Sequence, residues 1–182
     1  MAIFFTADTH FGDQKICSFF KRPFDTVAQM DECILDNWAK TVQPSDIVYH
    51  LGDVCLASRD YALSIAQKLK TLPGQKFLVP GNHDHSILKY IALGFNKILD
   101  LYVDEKFLVN NKKIHCVLCH YPFTSWNLSV AGSKQFYGHV HGKLQDSSNQ
   151  IDVGVDRWNF NLVEISTLIA AMEKLPQVKM TI

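Results

Sequence analysis

The sequence predicts an α/β protein built as two facing β-sheets with helices on the outside. Short apolar runs alternate with amphipathic stretches, the pattern of layered α/β folds. The first half reads β-α-β-α-β and the second half mostly β. No internal repeat, low-complexity tract or linker interrupts the pattern. At 182 residues the chain sits at the upper end of one ordinary domain, so a single domain over 1–182 is the simplest organisation. A chain this long can bury roughly 70% of the surface its unfolded form exposes, enough for a core without staples.

The elements follow in order. Residues 2–7 are a buried-type strand. Thr26 and Gln29 have the spacing of a capping box, opening a helix to about residue 41 with Met30, Ile34 and Trp38 on one face. Residues 47–51 form a second strand, and a helix over 58–72 carries Tyr61, Ile65, Leu69 and Leu72 at helical spacing. A third strand at 77–79 is ended by Pro80 and Gly81, and a short helix lies around 86–93. Strands are predicted at 97–103 and 106–109, then a turn at Asn110-Asn111-Lys112 leading into 114–118. Further strands fall at 135–138, 151–155 and 162–165, before a last helix near 167–174.

Composition narrows the function. Eighteen basic and eighteen acidic side chains cancel, so the excess of Lys and Arg that marks a nucleic-acid surface or basic membrane patch is missing. An anionic substrate then needs another local source of positive charge, which bound cations would supply. The N-terminal M-A-I-F-F-T-A-D-T-H is too short and lacks the basic flank of a signal peptide, and no run approaches the ~20 apolar residues of a membrane span. Five cysteines without paired spacing argue against a disulfide framework, so a cytoplasmic protein is expected. Cys116 and Cys119 form a C-x-x-C, but inside a strand-like run, where packing is the plainer role.

Candidate metal donors recur at the ends of predicted strands. Asp8 and His10 sit just past the first, Asp53 past the second, and Asn82 and His83 past the third. His120 closes the strand at 114–118, and His139 and His141 follow 135–138. In open α/β sheets the ligand crevice lies outside the carboxyl ends of the strands. Residues i and i+2 of an extended segment point to one side, so Asp8 and His10 can close on one cation. His139 and His141 can straddle a pair held ~3.5–4 Å apart, with Asp53 as the natural bridging carboxylate. Mixed imidazole and carboxylate donors suit Mn, Fe, Zn, Co or Ni better than Ca. Gly52, Gly81 and Gly138 each precede a candidate donor, where close backbone approach is needed. D-T-H or G-D alone means little; G-N-H-D, and to a lesser degree G-H-V-H, carry the specificity.

The set D-T-H, G-D, G-N-H-D, C-H, G-H-V-H resembles the calcineurin-like metallophosphoesterases, whose motifs run D-x-H, G-D, G-N-H-[D/E], H and G-H-x-H. The match spans Asp8 to His141, and R-P-F at 22–24 and V-G-V-D-R-W-N at 153–159 further resemble a small single-domain branch. The resemblance implies a four-layer α-β-β-α sandwich of two mixed β-sheets flanked by helices, the metallo-dependent phosphatase fold. It implies two divalent metal ions, manganese first, with iron, zinc, nickel or cobalt as alternatives. Asp8, His10 and His141 would hold one metal; Asn82, His120 and His139 the other; Asp53 would bridge them; His83 would be the catalytic histidine. Many relatives carry an aspartate three positions after the bridging one, in G-D-x-x-D, to orient the catalytic histidine. Leu56 stands there in this chain, leaving Asp84 or a backbone carbonyl for that task. Asp13 stands where similar small proteins often show a histidine.

The implied reaction is hydrolysis of phosphate mono- or diesters, small or nucleotide-like, by attack of a metal-bridging hydroxide on phosphorus. Arg22, Lys134 and Arg157 carry groups suited to a phosphate, with solvated surface charge as the plainer reading for each. Phe11, Tyr121, Phe123, Trp126 and Trp158 could stack on a base or simply pack in loops. His50 and His115 lie inside strands and read as core or sheet-face residues, while His85 is near enough to the motifs to contact a ligand. Two other classes remain: a binding scaffold that keeps the fold without catalysis, and a nuclease on longer nucleic acid. Retention of every candidate ligand argues against the first, and neutral charge against the second.

Overall fold

The computed structural model describes residues 1–176. Among the described residues, nine strands form two mixed sheets flanked by helices. In the first sheet, β1 (Ile3–Thr6), β2 (Ile47–His50), β3 (Gln75–Leu78) and β4 (Lys97–Ile98) run parallel, with β9 (Val163–Glu164) antiparallel against β1. In the second, β5 (Tyr102–Val109) is antiparallel to β6 (Lys112–Cys119), and β7 (Lys134–Tyr137) and β8 (Gln150–Asp152) continue in parallel.

The apolar run of β1 is buried on both faces. Phe5 points between the sheets, against Tyr49 at 5.3 Å, Phe107 at 5.7 Å and Phe136 at 4.9 Å between ring centroids. Phe4 and Val48 point the other way, into a cluster with Met30, Ile34 and Trp38 of α2 (Val27–Thr41) and Ile65 and Leu69 of α3 (Arg59–Thr71). A strand covered on both faces has no reason to alternate polar and apolar residues. Short helices α1 (Ile16–Phe20) and α4 (Leu88–Ile91) sit in connections, and α5 (Ile165–Met172) adds Leu168, Ile169 and Met172 to the cluster between the sheets. Over the outer face of the second sheet runs the segment 121–133, tied down by Gln135, which accepts from the Phe123 amide and donates to the Tyr121 carbonyl.

The capping box forms as its spacing predicts: the Thr26 hydroxyl accepts from the Gln29 amide and the Gln29 side chain from the Thr26 amide. Asn110 and Asn111 make the β5–β6 turn with φ of 50° and 63°, the backbone that a two-residue hairpin with right-handed twist requires. The strand expected over 97–103 is instead two pieces. β4 ends at Ile98 in the first sheet and β5 starts at Tyr102 in the second, so the chain crosses between sheets there. Apolar periodicity does not record which sheet a residue joins. No helix among the described residues is long and apolar enough to cross a membrane.

Candidate metal centre

The carboxyl ends of β1, β2, β3, β6 and β7 meet, and their loops bring two sets of donor atoms together. One set is Asp8, His10 and His141; the other is Asp53, His120 and His139, with the donor atoms of each within 4.8 Å of one another. Asn82 joins the second set, its Oδ1 3.0 Å from His120 Nε2. Asp53 lies between the sets: its Oδ2 is 3.5 Å from His10 Nε2 and 3.4 Å from His120 Nε2. His83 stands beside them, Nε2 3.9 Å from the same oxygen, while its amide donates to Asp53 Oδ1 at 2.9 Å.

The backbone is bent hard to achieve this. Asp8, His10, Asp53, His139 and His141 have φ of 56°, 50°, 56°, 73° and 50°, in the left-handed region that costs most residues energy. Hydrogen bonds hold them there. The Asp8 amide donates to the Gly52 carbonyl, the His10 amide to the Asp53 carbonyl, and the His139 amide to Asp8 Oδ2 at 2.8 Å. The Asp84 carboxylate accepts from the amides of Asp53, Val54 and Gly81 at 2.8–2.9 Å. Gly81 and Gly138 are required for a separate reason: a Cβ at either would fall 2.3 Å from Asp53 Oδ1 or 2.7 Å from Asp8 Oδ2.

The donor chemistry fits divalent cations. His120 Nδ1 lies 2.7 Å from the Leu51 carbonyl, which can only accept, so its proton sits on Nδ1. The Nε2 lone pair then faces the Asn82 amide oxygen and the Asp53 carboxylate, an arrangement that a cation or a proton must relieve. Both ring nitrogens of His10 are buried without a hydrogen-bond partner. Without a cation, protons take up the task. Burial opposes charge on His10, but Asp13 at 3.4 Å and Asp53 at 3.5 Å outweigh it and push the imidazole up to about 9. Burial raises Asp8 to about 7. Burial also works on Asp53, but His10 and His120 hold its carboxyl far below the usual range. A metal entering such a site displaces protons.

A family model for calcineurin-like phosphoesterase matches residues 1–161. The chain belongs to the calcineurin-like phosphoesterase family. An uncharacterized protein of Methanocaldococcus jannaschii is 29% identical, over 94% of this chain and 92% of its own. The gene 66 protein of Mycobacterium phage L5 is 25% identical, over 85% of this chain and 86% of its own. A crystal structure of an Aquifex aeolicus protein of unknown function superposes with a TM-score of 0.71 at 23% identity, covering 93% of this chain and 98% of that one.

Within this family member, several residues sit differently from their sequence expectations. Arg22 is no free phosphate ligand: its side chain is wholly buried, bound to both Asp156 oxygens and to the Asp8 and Thr9 carbonyls. Arg157 donates to Asp146 at 2.6 Å and Lys134 to the Ser148 carbonyl at 2.7 Å, neither reaching the donor sets. Asp84 is spent on three backbone amides, so it does not orient the His83 ring, and Leu56 is partly exposed. Phe11 and Trp126 are buried, and Trp158 donates to the Asp152 carbonyl. Tyr121 does lie at the centre, its ring 4.7 Å from His139 and 5.2 Å from His120. Cys116 and Cys119 are free thiols packed within β6.

Three neighbours of the donors carried no assigned role from sequence. Asp156 Oδ2 accepts from His141 Nδ1 at 2.8 Å. Asp13 lies against His10 Nδ1. Phe20 stacks on the His141 ring at 3.7 Å, and Lys143 Nζ sits 4.3 Å from the Phe20 centroid. Asp156 lies inside V-G-V-D-R-W-N, so the signal was present without its meaning.

Proposed function

We propose that this protein hydrolyses phosphate mono- or diesters, small or nucleotide-like, using two divalent cations, manganese first. The reading rests on one observation: the Asp53 carboxylate lies between two donor sets, within 3.5 Å of His10 and His120, with His83 beside it. Asp8, His10 and His141 would hold one cation, Asn82, His120 and His139 the other, and Asp53 both. Bound there, the cations supply Lewis acidity toward phosphate oxygens and acidify water. The ionised Asp53 draws positive charge to the centre and fixes the His83 backbone through its amide. His83, with a half-exposed ring, is placed to meet a phosphate oxygen and to protonate the departing alkoxide. Asp84 keeps the Asp53 and Gly81 loops in register. Neutral overall charge favours soluble esters over long nucleic acid, and cysteines without a disulfide framework favour a cytoplasmic setting.

The test is a screen of p-nitrophenyl phosphate, bis-p-nitrophenyl phosphate, and linear and cyclic nucleotides. Mn, Fe, Co, Ni, Zn and Mg are each added back to chelated protein. Metal-dependent turnover of at least one ester is expected. A protein that binds two cations and turns over none would be a scaffold.

A further inference from the structure

R-P-F at 22–24 and V-G-V-D-R-W-N at 153–159 contain no proposed metal donor, yet they meet at the centre. Arg22 Nε and Nη2 donate to the two Asp156 oxygens at 2.8 and 2.7 Å, a planar fork on a carboxylate. The same guanidinium reaches the Asp8 carbonyl at 2.7 Å and the Thr9 carbonyl at 3.2 Å, on the loop where Asp8 and His10 adopt positive φ. Asp156 Oδ2, already accepting from Arg22, has only a further lone pair to offer His141 Nδ1 at 2.8 Å. The ring's second nitrogen is thereby left with its lone pair for a cation, and His141 stands in one donor set with Asp8 and His10.

Building on the proposed two-cation reading, we infer that Arg22 and Asp156 are positioning residues for the Asp8–His10–His141 site alone. They fix His141 as the Nδ1–H tautomer and pin the Asp8–His10 loop to the G-H-V-H loop. Arginine is required because one planar group must serve a carboxylate and two carbonyls at once; a lysine ammonium is a single point of donation. No side chain of the second site is aimed by this pair: the Leu51 carbonyl fixes His120, and His139 meets the Asp8 loop only through its backbone amide. The two segments are thus halves of one brace, joined across 134 residues of chain.

Two measurements test the inference without reading activity. The first is the long-range nitrogen–proton spectrum of the histidine rings in metal-free wild-type protein. The expected result is His141 protonated on Nδ1; an Nε2–H ring overturns the inference, and no substitution is needed to see it. The second is cobalt binding followed by visible absorption. The Arg22→Lys and Asp156→Asn proteins are expected to lose roughly 10–100-fold affinity at one site and none at the other. Adding His120→Ala should abolish the site that remains, and adding His10→Ala should not. Equal weakening of both sites, or of neither, overturns the inference. If wild type shows the Nδ1–H ring and binds two cobalt ions but hydrolyses no ester, the proposed function fails and the brace stands.

Discussion

The two donor sets are built from the same residue types but held by different means. His141 is aimed by a side chain, Asp156, itself held by Arg22 from a distant segment. His120 is aimed by the backbone itself, through the Leu51 carbonyl just beyond β2. A side-chain hold can be loosened by one substitution at little cost to the sheet. A backbone hold cannot be altered without disturbing the fold that creates it.

Asp53 lies between the sets, so its loss should erase the distinction. Asp53→Ala is expected to bind neither cation tightly and to lose roughly 10³-fold or more in turnover, read by metal analysis and kcat/KM on one protein stock. Retention of two tight cations would show that Asp53 does not bridge. His83→Ala should spare both sets yet slow turnover by roughly 10²–10⁴-fold; full activity with manganese would remove His83 from the chemistry. Asp84→Ala strands three backbone amides, of Asp53, Val54 and Gly81. At about 1–3 kcal/mol for each buried unpaired group, it should lower unfolding stability by several kcal/mol in denaturant titration. Loss of metal affinity with unchanged stability would contradict a structural part for Asp84 in holding the loop.

A pH effect separates the buried support from the donors. Burial lowers His50 from 6.5 to about 3; it is wholly enclosed and its Nε2 faces the Thr9 hydroxyl. A depressed folded-state value means full stability above pH 6.5 and progressive loss as pH falls toward 3. The slope is about 1.4 kcal/mol per pH unit, since the unfolded chain takes up a proton that the folded one refuses. Unfolding of wild type and His50→Gln should diverge in slope between pH 6 and 4 (roughly the window where only the unfolded histidine is charged). Parallel curves would mean that His50 titrates normally. The smallest effect is expected far from both sets, at Thr26→Ala, where loss of the cap should cost ~1 kcal/mol and leave cobalt binding untouched.

What the sequence revealed follows the same division. Donor types at strand ends are local, and Asp8, His10, Asp53, Asn82, His120, His139 and His141 all gather as their motifs predict. The Thr26 cap and the Asn110-Asn111 turn are legible for the same reason: both are decided within four residues. Arg22 was not legible. A guanidinium that bridges 134 residues to Asp156 looks, in a string of letters, like any surface cation. The short helix α1 and the crossing between sheets after Ile98 were hidden too, because tertiary placement rather than periodicity sets them.

The Phe20 ring lying flat on His141, with the Lys143 ammonium close by, gives the centre a closed flank. Elsewhere around the centre His83 is half-exposed, and His139 and Tyr121 are open to solvent. In the proposed reaction an ester would then approach from the open side, over His139 and Tyr121, with His83 beside its path. For a diester of two unequal alcohols, the shape of that doorway would bear on which arm comes to lie beside His83.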